Sequence, residues 1–260
     1  MLSLQQIMNY YPNMSESRRE NCLREYLQYK ILKIIFNSKW WNKLRFIWWT
    51  ALRIVYGNAR FSEDIDFDID GTITFEEFSE MWLFIQKSLE AEWLVVRTRS
   101  IQKWAFHCNI SIPEILYNNK LAPMKTQTIL IQIDTHCQWY DYQPVNHFLN
   151  KFDVQSDILT VSPQLLLAQK LYTVFERKRL KWRDFFDIVF LLGITKKPDY
   201  WFLNKKLWIN NPSDLKKYMQ NKIIWLDLIA LQRDVEPFLF DSNNKSVKLF
   251  DKIIEQTDFE

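Results

Sequence analysis

The sequence predicts an α+β protein, with a mixed sheet in the N-terminal part and helices in the C-terminal part. Three observations carry this. From Phe61 to Ile69 the alternation is strict, with Ile65, Phe67 and Ile69 on one side and Asp64, Asp66, Asp68 and Asp70 on the other, the period of a strand. From Glu20 to Phe36, Leu23, Leu27, Ile31, Ile34 and Ile35 recur at three and four, the period of an amphipathic helix. After Pro144 the recurring spacing is helical.

Taken in order, the Glu20–Phe36 helix is followed by a loop and a short buried strand over Leu44–Ile47. Helical spacing over Thr50–Tyr56 then runs until Gly57-Asn58 punctuates it. The acidic strand follows, and Thr74 opens a helix with Glu76 and Glu77 in its first turn, where carboxylates are favoured, continuing to about Leu89. Strand-like segments return at Leu94–Arg99, Ala105–Ile112 and Thr128–Ile133. Helical patterns then occupy Pro163–Phe175, Arg183–Leu192, Ser213–Arg233 and Val247–Glu255. The division expected is an α/β region over 1–155 and a helical region over 156–260, with no repeat and no long Pro/Gly/Ser linker.

With 48% hydrophobic and 25% charged residues in 260, the chain has material for a core without disulfide or metal staples, and disorder and low complexity are excluded. The longest apolar run, Ile188–Ile194, falls far short of a membrane span. Met1–Asn13 has neither the basic nor the apolar region of a signal peptide. These features predict a cytoplasmic protein with no membrane partner. Cys22, Cys108 and Cys137 are odd in number and far apart, so they read as reduced buried thiols rather than a disulfide framework or zinc knuckle. A net charge of +3 permits a nucleic-acid partner without arguing for one.

The acidic strand is the first place where chemistry is indicated. Asp64 and Asp66 are two apart, so their carboxylates point the same way, and such oxygen clusters bind Mg²⁺ together with substrate phosphates. Asp134, ending the run Ile129–Ile133, supplies a third carboxylate if its strand lies beside the first. A solvated edge strand would also carry charge here. Four aspartates between 64 and 70 nevertheless repel one another unless cations neutralise them.

Two longer segments bear on the same residues. Phe46–Asp68 reads FIWWTALRIVYGNARFSEDIDFD, and Gln169–Leu192 reads QKLYTVFERKRLKWRDFFDIVFLL. They resemble the nucleotidyltransferase-like toxins of the AbiEii/AbiGii type, found in type IV toxin–antitoxin and abortive-infection systems. In that family a Gly-Gly-Thr or Gly-Ser turn precedes a helix, a strand carries Asp-x-Asp, and a Lys on one helix is followed by Arg-Asp-x-x-Asp opening the next. The resemblance covers roughly Glu20–Leu192. It implies a nucleotidyltransferase fold and transfer of a nucleoside monophosphate from an NTP to an acceptor hydroxyl, with two Mg²⁺ ions. The leading acceptor it implies is a tRNA 3′ end or other RNA, and the implied partner is a cognate antitoxin in a toxin–antitoxin or phage-defence system.

By the same resemblance, Asp64, Asp66, Lys170 and Asp187 are the catalytic residues, with Asp64, Asp66 and Asp134 on metal. Trp48, Trp49 and Thr50 form the nucleotide turn, and Arg183 and Asp184 join it in binding nucleotide. Arg60 and Ser62 flank the acidic strand and touch phosphate or base. Lys170 and Arg183 serve the triphosphate, stabilising charge that gathers on leaving pyrophosphate.

A rival motif overlaps these aspartates. Asp66–Glu77, DFDIDGTITFEE, satisfies the calcium-loop pattern, with Gly71 sixth and Glu77 twelfth. It would make the chain a non-catalytic calcium-binding or interaction module. Against it, Phe67 and Ile69 would face water, and the sequence has no second loop.

Twelve tryptophans accompany only three glycines, although glycine is normally about 7% of a soluble protein. Trp48 and Trp49 stand where the family has small residues, because triphosphate must approach bare backbone there. Trp182 precedes Arg183-Asp184 where the family usually has glycine, and Trp93 and Trp139 sit at sites that read as turn glycines. Two readings follow: an inactive homologue with a blocked site, or TGA codons that the source cell decodes as glycine.

Overall fold

The computed structural model describes residues 1–69, 71–102, 105–177, 181–224, 226–235, 239–240 and 244–260; Asp70, the fourth aspartate of the acidic run, lies outside them. Two compact units are present. The first comprises Met1–Tyr56 and Phe61–Thr160, the second Gly57–Arg60 and Val161–Glu260.

In the first unit the order is α1 (Leu4–Met8), α2 (Arg19–Phe36), β1 (Leu44–Ile47), α3 (Trp48–Ile54), β2 (Ile65–Ile69), α4 (Phe75–Glu90), β3 (Arg97–Gln102), β4 (Phe106–Pro113), α5 (Ile115–Asn118), β5 (Thr128–His136), β6 (Val145–Lys151) and β7 (Val154–Thr160). The strands form one mixed sheet in the order β3-β4-β5-β2-β1-β7-β6. β2 runs parallel to β5 and antiparallel to β1. The acidic strand is therefore central and buried along its whole length, not a solvated edge.

Alternation decides which side of β2 meets the core. Ile65, Phe67 and Ile69 face apolar neighbours, Phe67 lying 5.9 Å from the Phe46 ring of β1 and 6.2 Å from Phe36 of α2. α2 also packs on β7, and α4 on β3 and β4. Asp66 and Asp68 point to the opposite side of the sheet.

α3 is fixed by a buried ion network. Glu25 of α2 accepts from Arg53 Nε of α3 at 2.7 Å, from Lys151 Nζ of β6 at 2.7 Å and from the Tyr11 hydroxyl at 2.7 Å. Burial alone would raise the Glu25 pKa; Arg53 and Lys151 outweigh it and hold the carboxyl below its ordinary value. The same burial, with Glu25 beside it, pushes the Cys22 thiol up to about 12, which makes it unreactive. Cys108 is buried too, whereas Cys137, expected buried, is only half-buried.

The second unit is helical: α6 (Pro163–Glu176), α7 (Trp182–Leu192), α8 (Tyr200–Leu207), α9 (Pro212–Ile223), α10 (Leu228–Val235) and α11 (Phe250–Gln256). Ser162 caps α6 through the Leu165 amide, with Pro163 following it, so the hydroxyl satisfies an orphan donor and proline costs none. With 48% helix and 20% strand, the chain is α+β.

Several elements depart from the sequence reading. β3 lies three residues later than expected, α3 begins at Trp48 rather than Thr50, and α8 is an additional helix. β6 and β7 occupy a stretch with no expected strand. The helix expected over Ser213–Arg233 is two, because Asp227 Oδ1 accepts from the Ile229 and Ala230 amides and so starts a new helix. Among the described residues, no helix is long and apolar enough to cross a membrane.

Candidate active site

In the first unit, register brings together two of the expected metal ligands. Asp66 of β2 is paired with Asp134 of β5, and directly opposed residues share a side of the sheet. Asp64 precedes them by one strand repeat and is half-buried, whereas Asp66 is only 5% exposed. Among the described residues, no group of three or more His, Cys, Asp or Glu is gathered tightly enough to hold a metal. The donor set still fits a hard divalent ion, since aspartate oxygens on adjacent strands repel each other without one.

Asp134 is held in place by neighbours that the sequence did not single out. His107 Nδ1 of β4 lies 2.7 Å from Asp134 Oδ1, and Gln132 Nε2 donates to both carboxylate oxygens at 3.0 Å. Alternation puts His107 on the polar side of its strand, but only the β4–β5 register, which opposes it to Asp134, reveals the contact.

Asp68 has a different task. It accepts from the Gln138 amide at 2.8 Å and the Tyr142 hydroxyl at 2.6 Å, tying the segment after β5 to β2. Burial and the Asp68 charge push the Tyr142 phenol up, so it stays a donor. A pocket of about 360 Å³ opens beside this contact, lined by Arg45, Asp68, Tyr140 and Tyr142 among others.

The turn into α3 is stitched to the chain leading into β2. Thr50 is fully buried; its hydroxyl lies 2.8 Å from Ser62 Oγ and donates to the Asp64 carbonyl. Thr50 and Ser62 therefore fix the turn relative to the acidic strand. Trp48 and Trp49, the other residues of that turn, are half-buried, and Trp48 has φ of 59°.

In the second unit, Asp187 of α7 is 0% exposed and gathers three partners. Asn58 Nδ2 donates to it at 2.8 Å, Arg60 through Nε at 2.9 Å and Nη2 at 2.8 Å, and Lys170 Nζ of α6 lies 2.9 Å away. Burial would raise the Asp187 pKa; Arg60 and Lys170 reverse this and hold the carboxyl below its ordinary range. Asp184 joins the cluster, 3.4 Å from Lys170 and 3.1 Å from Arg177 Nη1. Arg183 is half-buried on the same helix. Asn58 and Arg177 were not expected here; Asn58 read only as turn punctuation.

Paired carboxylates in one unit, and in the other a buried carboxylate clasping an arginine and a lysine, are parts suited to phosphoryl chemistry. A family model described as "Nucleotidyl transferase AbiEii toxin, Type IV TA system" matches residues 50–207. The chain belongs to the AbiEii nucleotidyltransferase toxin family. No curated protein matches it. Among solved structures it is similar to JHP933 from Helicobacter pylori, at 15% identity and a TM-score of 0.52, covering 94% of this chain and 96% of that one. It is likewise similar to the nucleotidyltransferase toxin MenT4 from Mycobacterium tuberculosis, at 14% identity and a TM-score of 0.54, covering 91% of this chain and 72% of that one. The AbiEii chain is thus a nucleotidyltransferase, with the mixed sheet of that fold.

The calcium-loop alternative does not survive the backbone. Its first four positions, Asp66 to Ile69, are strand β2. Its twelfth, Glu77, accepts from the Thr74 amide in a capping box and pairs with Lys43 at 3.1 Å. Titration calorimetry with Ca²⁺ is accordingly expected to show no micromolar site; tight binding abolished by Glu77→Ala would restore the loop reading.

Proposed function

We propose that this AbiEii toxin transfers a nucleoside monophosphate from a nucleoside triphosphate to an acceptor hydroxyl in a Mg²⁺-dependent reaction. The acceptor is a tRNA 3′ end, and the chain acts as the toxin of a toxin–antitoxin or phage-defence pair with a separately encoded antitoxin. The observation that carries the reading is the pairing of Asp66 with Asp134 at the centre of the sheet. Asp64, Asp66 and Asp134 would hold two Mg²⁺ ions. Bound there, Mg²⁺ offsets triphosphate charge and lowers the pKa of the acceptor hydroxyl.

The acceptor hydroxyl oxygen attacks the α-phosphorus while its proton passes to solvent water, the bond from the α-phosphorus to the bridging oxygen of the β-phosphate breaks, and pyrophosphate leaves with that electron pair. His107 and Gln132 are positioning residues that keep the Asp134 carboxylate oriented. Lys170 and Arg183 stabilise charge on pyrophosphate. Asp187 positions Lys170 and Arg60 by fixing their direction and charge, and Asp184 supports Lys170.

The test is incubation of the chain carrying glycine at positions 48 and 49, which frees the turn, with each labelled NTP, total RNA and Mg²⁺. Label at the 3′ end of tRNA is the expected result. Label on another RNA class would replace the acceptor, and no label with any NTP would overturn transfer.

Triphosphate is placed at the turn holding Trp48, Trp49 and Thr50, where bulky indoles obstruct approach to backbone N–H groups. The double substitution Trp48→Gly/Trp49→Gly is expected to tighten NTP binding by about tenfold or more, or roughly 1.4 kcal/mol. Calorimetry checks this; equal affinity would move the triphosphate away from the turn.

A further inference from the structure

We infer that Trp48, Trp93, Trp139 and Trp208 occupy glycine positions, and that their codons are TGA, decoded as glycine in the cell that makes this protein. Backbone geometry carries the inference, independently of the transfer reaction. Eight non-glycine residues among those described have positive φ, and these four tryptophans are half of them, although tryptophan supplies only twelve of 260 residues. Their φ values of 59°, 68°, 50° and 60° lie in the left-handed region, where a Cβ crowds the backbone and glycine is the default.

Three stand at a helix end or in the turn after one, and the fourth in a loop between strands. Trp208 directly follows α8 with φ 60° and ψ 27°, and its amide donates to the Asn204 carbonyl at 3.0 Å. That is the left-handed helix cap in which glycine is strongly enriched. Trp93 follows the end of α4, its amide donating to the Glu90 carbonyl at 2.9 Å. Trp139 lies in the segment between β5 and β6, and Trp48 at the first residue of α3.

At three of the four positions burial gives little reason for tryptophan, Trp48 being half-buried. Trp93 is 96% exposed, Trp208 86% and Trp139 77%, whereas an indole stabilises a fold through the area it buries. Random drift in an inactive homologue would not concentrate tryptophan where φ is positive. Trp49 and Trp182, also marked as glycine positions in the sequence, are ordinary helical residues, so geometry alone does not assign them. A codon has one meaning in a cell, however, and any further TGA in this gene is glycine as well. Replacing all twelve gives fifteen glycines, about 6% of the chain and close to the usual content.

The gene supplies the first test. TGA at all four codons is expected, and TGG at any of them overturns the inference. The second test compares the melting temperature of the tryptophan-bearing chain with two fourfold variants. One carries glycine at positions 48, 93, 139 and 208; the other carries alanine, which removes the indole but keeps the Cβ. The glycine variant is expected to melt roughly 10 °C higher than the tryptophan chain, with alanine well below glycine. Equal midpoints for glycine and alanine would mean that these backbones do not require glycine, and would overturn the inference.

Discussion

Asp66→Asn is expected to slow nucleotide transfer by at least about a thousandfold while leaving the melting temperature unchanged or higher. Asparagine keeps the shape of the side chain on a central, fully paired strand, so the sheet is undisturbed. It removes one of two carboxylates that register forces together, and without a cation their repulsion opposes folding. Mg²⁺ should stabilise the unaltered chain, because a ligand that binds only the folded state raises its apparent stability, and this gain should shrink in the variant. Asp68→Asn is the control on the same face of β2. Its carboxylate is committed to the Gln138 amide and the Tyr142 hydroxyl, so it should cost stability, about 1–3 kcal/mol, more than chemistry. Full activity in the Asp66 variant, or an activity loss tracking unfolding, would refute the metal role.

How much of this was legible in the sequence depends on how local each feature is. The alternation of β2 is written in adjacent residues and was readable, as were α2 and α4. β6 was not: it is an edge strand, paired only to β7, and its sequence VNHFLNK buries only Leu149, leaving little apolar period. β7 alternates, but Ser156 and Thr160 fill two of its buried positions, which hides the pattern from a hydrophobicity reading. Asp64 and Asp66 were readable as a pair, but which strand lies beside them is a property of topology. Asp134 therefore entered on resemblance and His107 not at all. Trp208 was missed because nothing local marks Lys-Leu-Trp-Ile as a helix end once glycine is absent.

The Asp187 cluster is the extreme case, since its parts are 127 residues apart in the chain. Asp187→Ala is expected to cost about 3–5 kcal/mol, the usual result of removing one partner of a buried ion pair. Urea unfolding of the whole chain measures it. Arg60 and Lys170 are both buried, and Asp187 is the carboxylate they share. Asp187→Asn should cost nearly as much, because it restores shape without charge. Acid separates charge from packing. The folded pKa of Asp187 lies below its ordinary value, so its contribution is complete above about pH 4 and is lost as pH falls through the folded value. The stability gap between the unaltered chain and Asp187→Asn should thus be constant from neutral pH to about pH 5 and close below about pH 4. Glu25, whose pKa is also lowered, is present in both proteins and cancels from the difference. A gap that persists undiminished through strong acid would show that the Asp187 side chain contributes shape or hydrogen bonds rather than charge, and the clasp on Lys170 and Arg60 would lose its electrostatic basis.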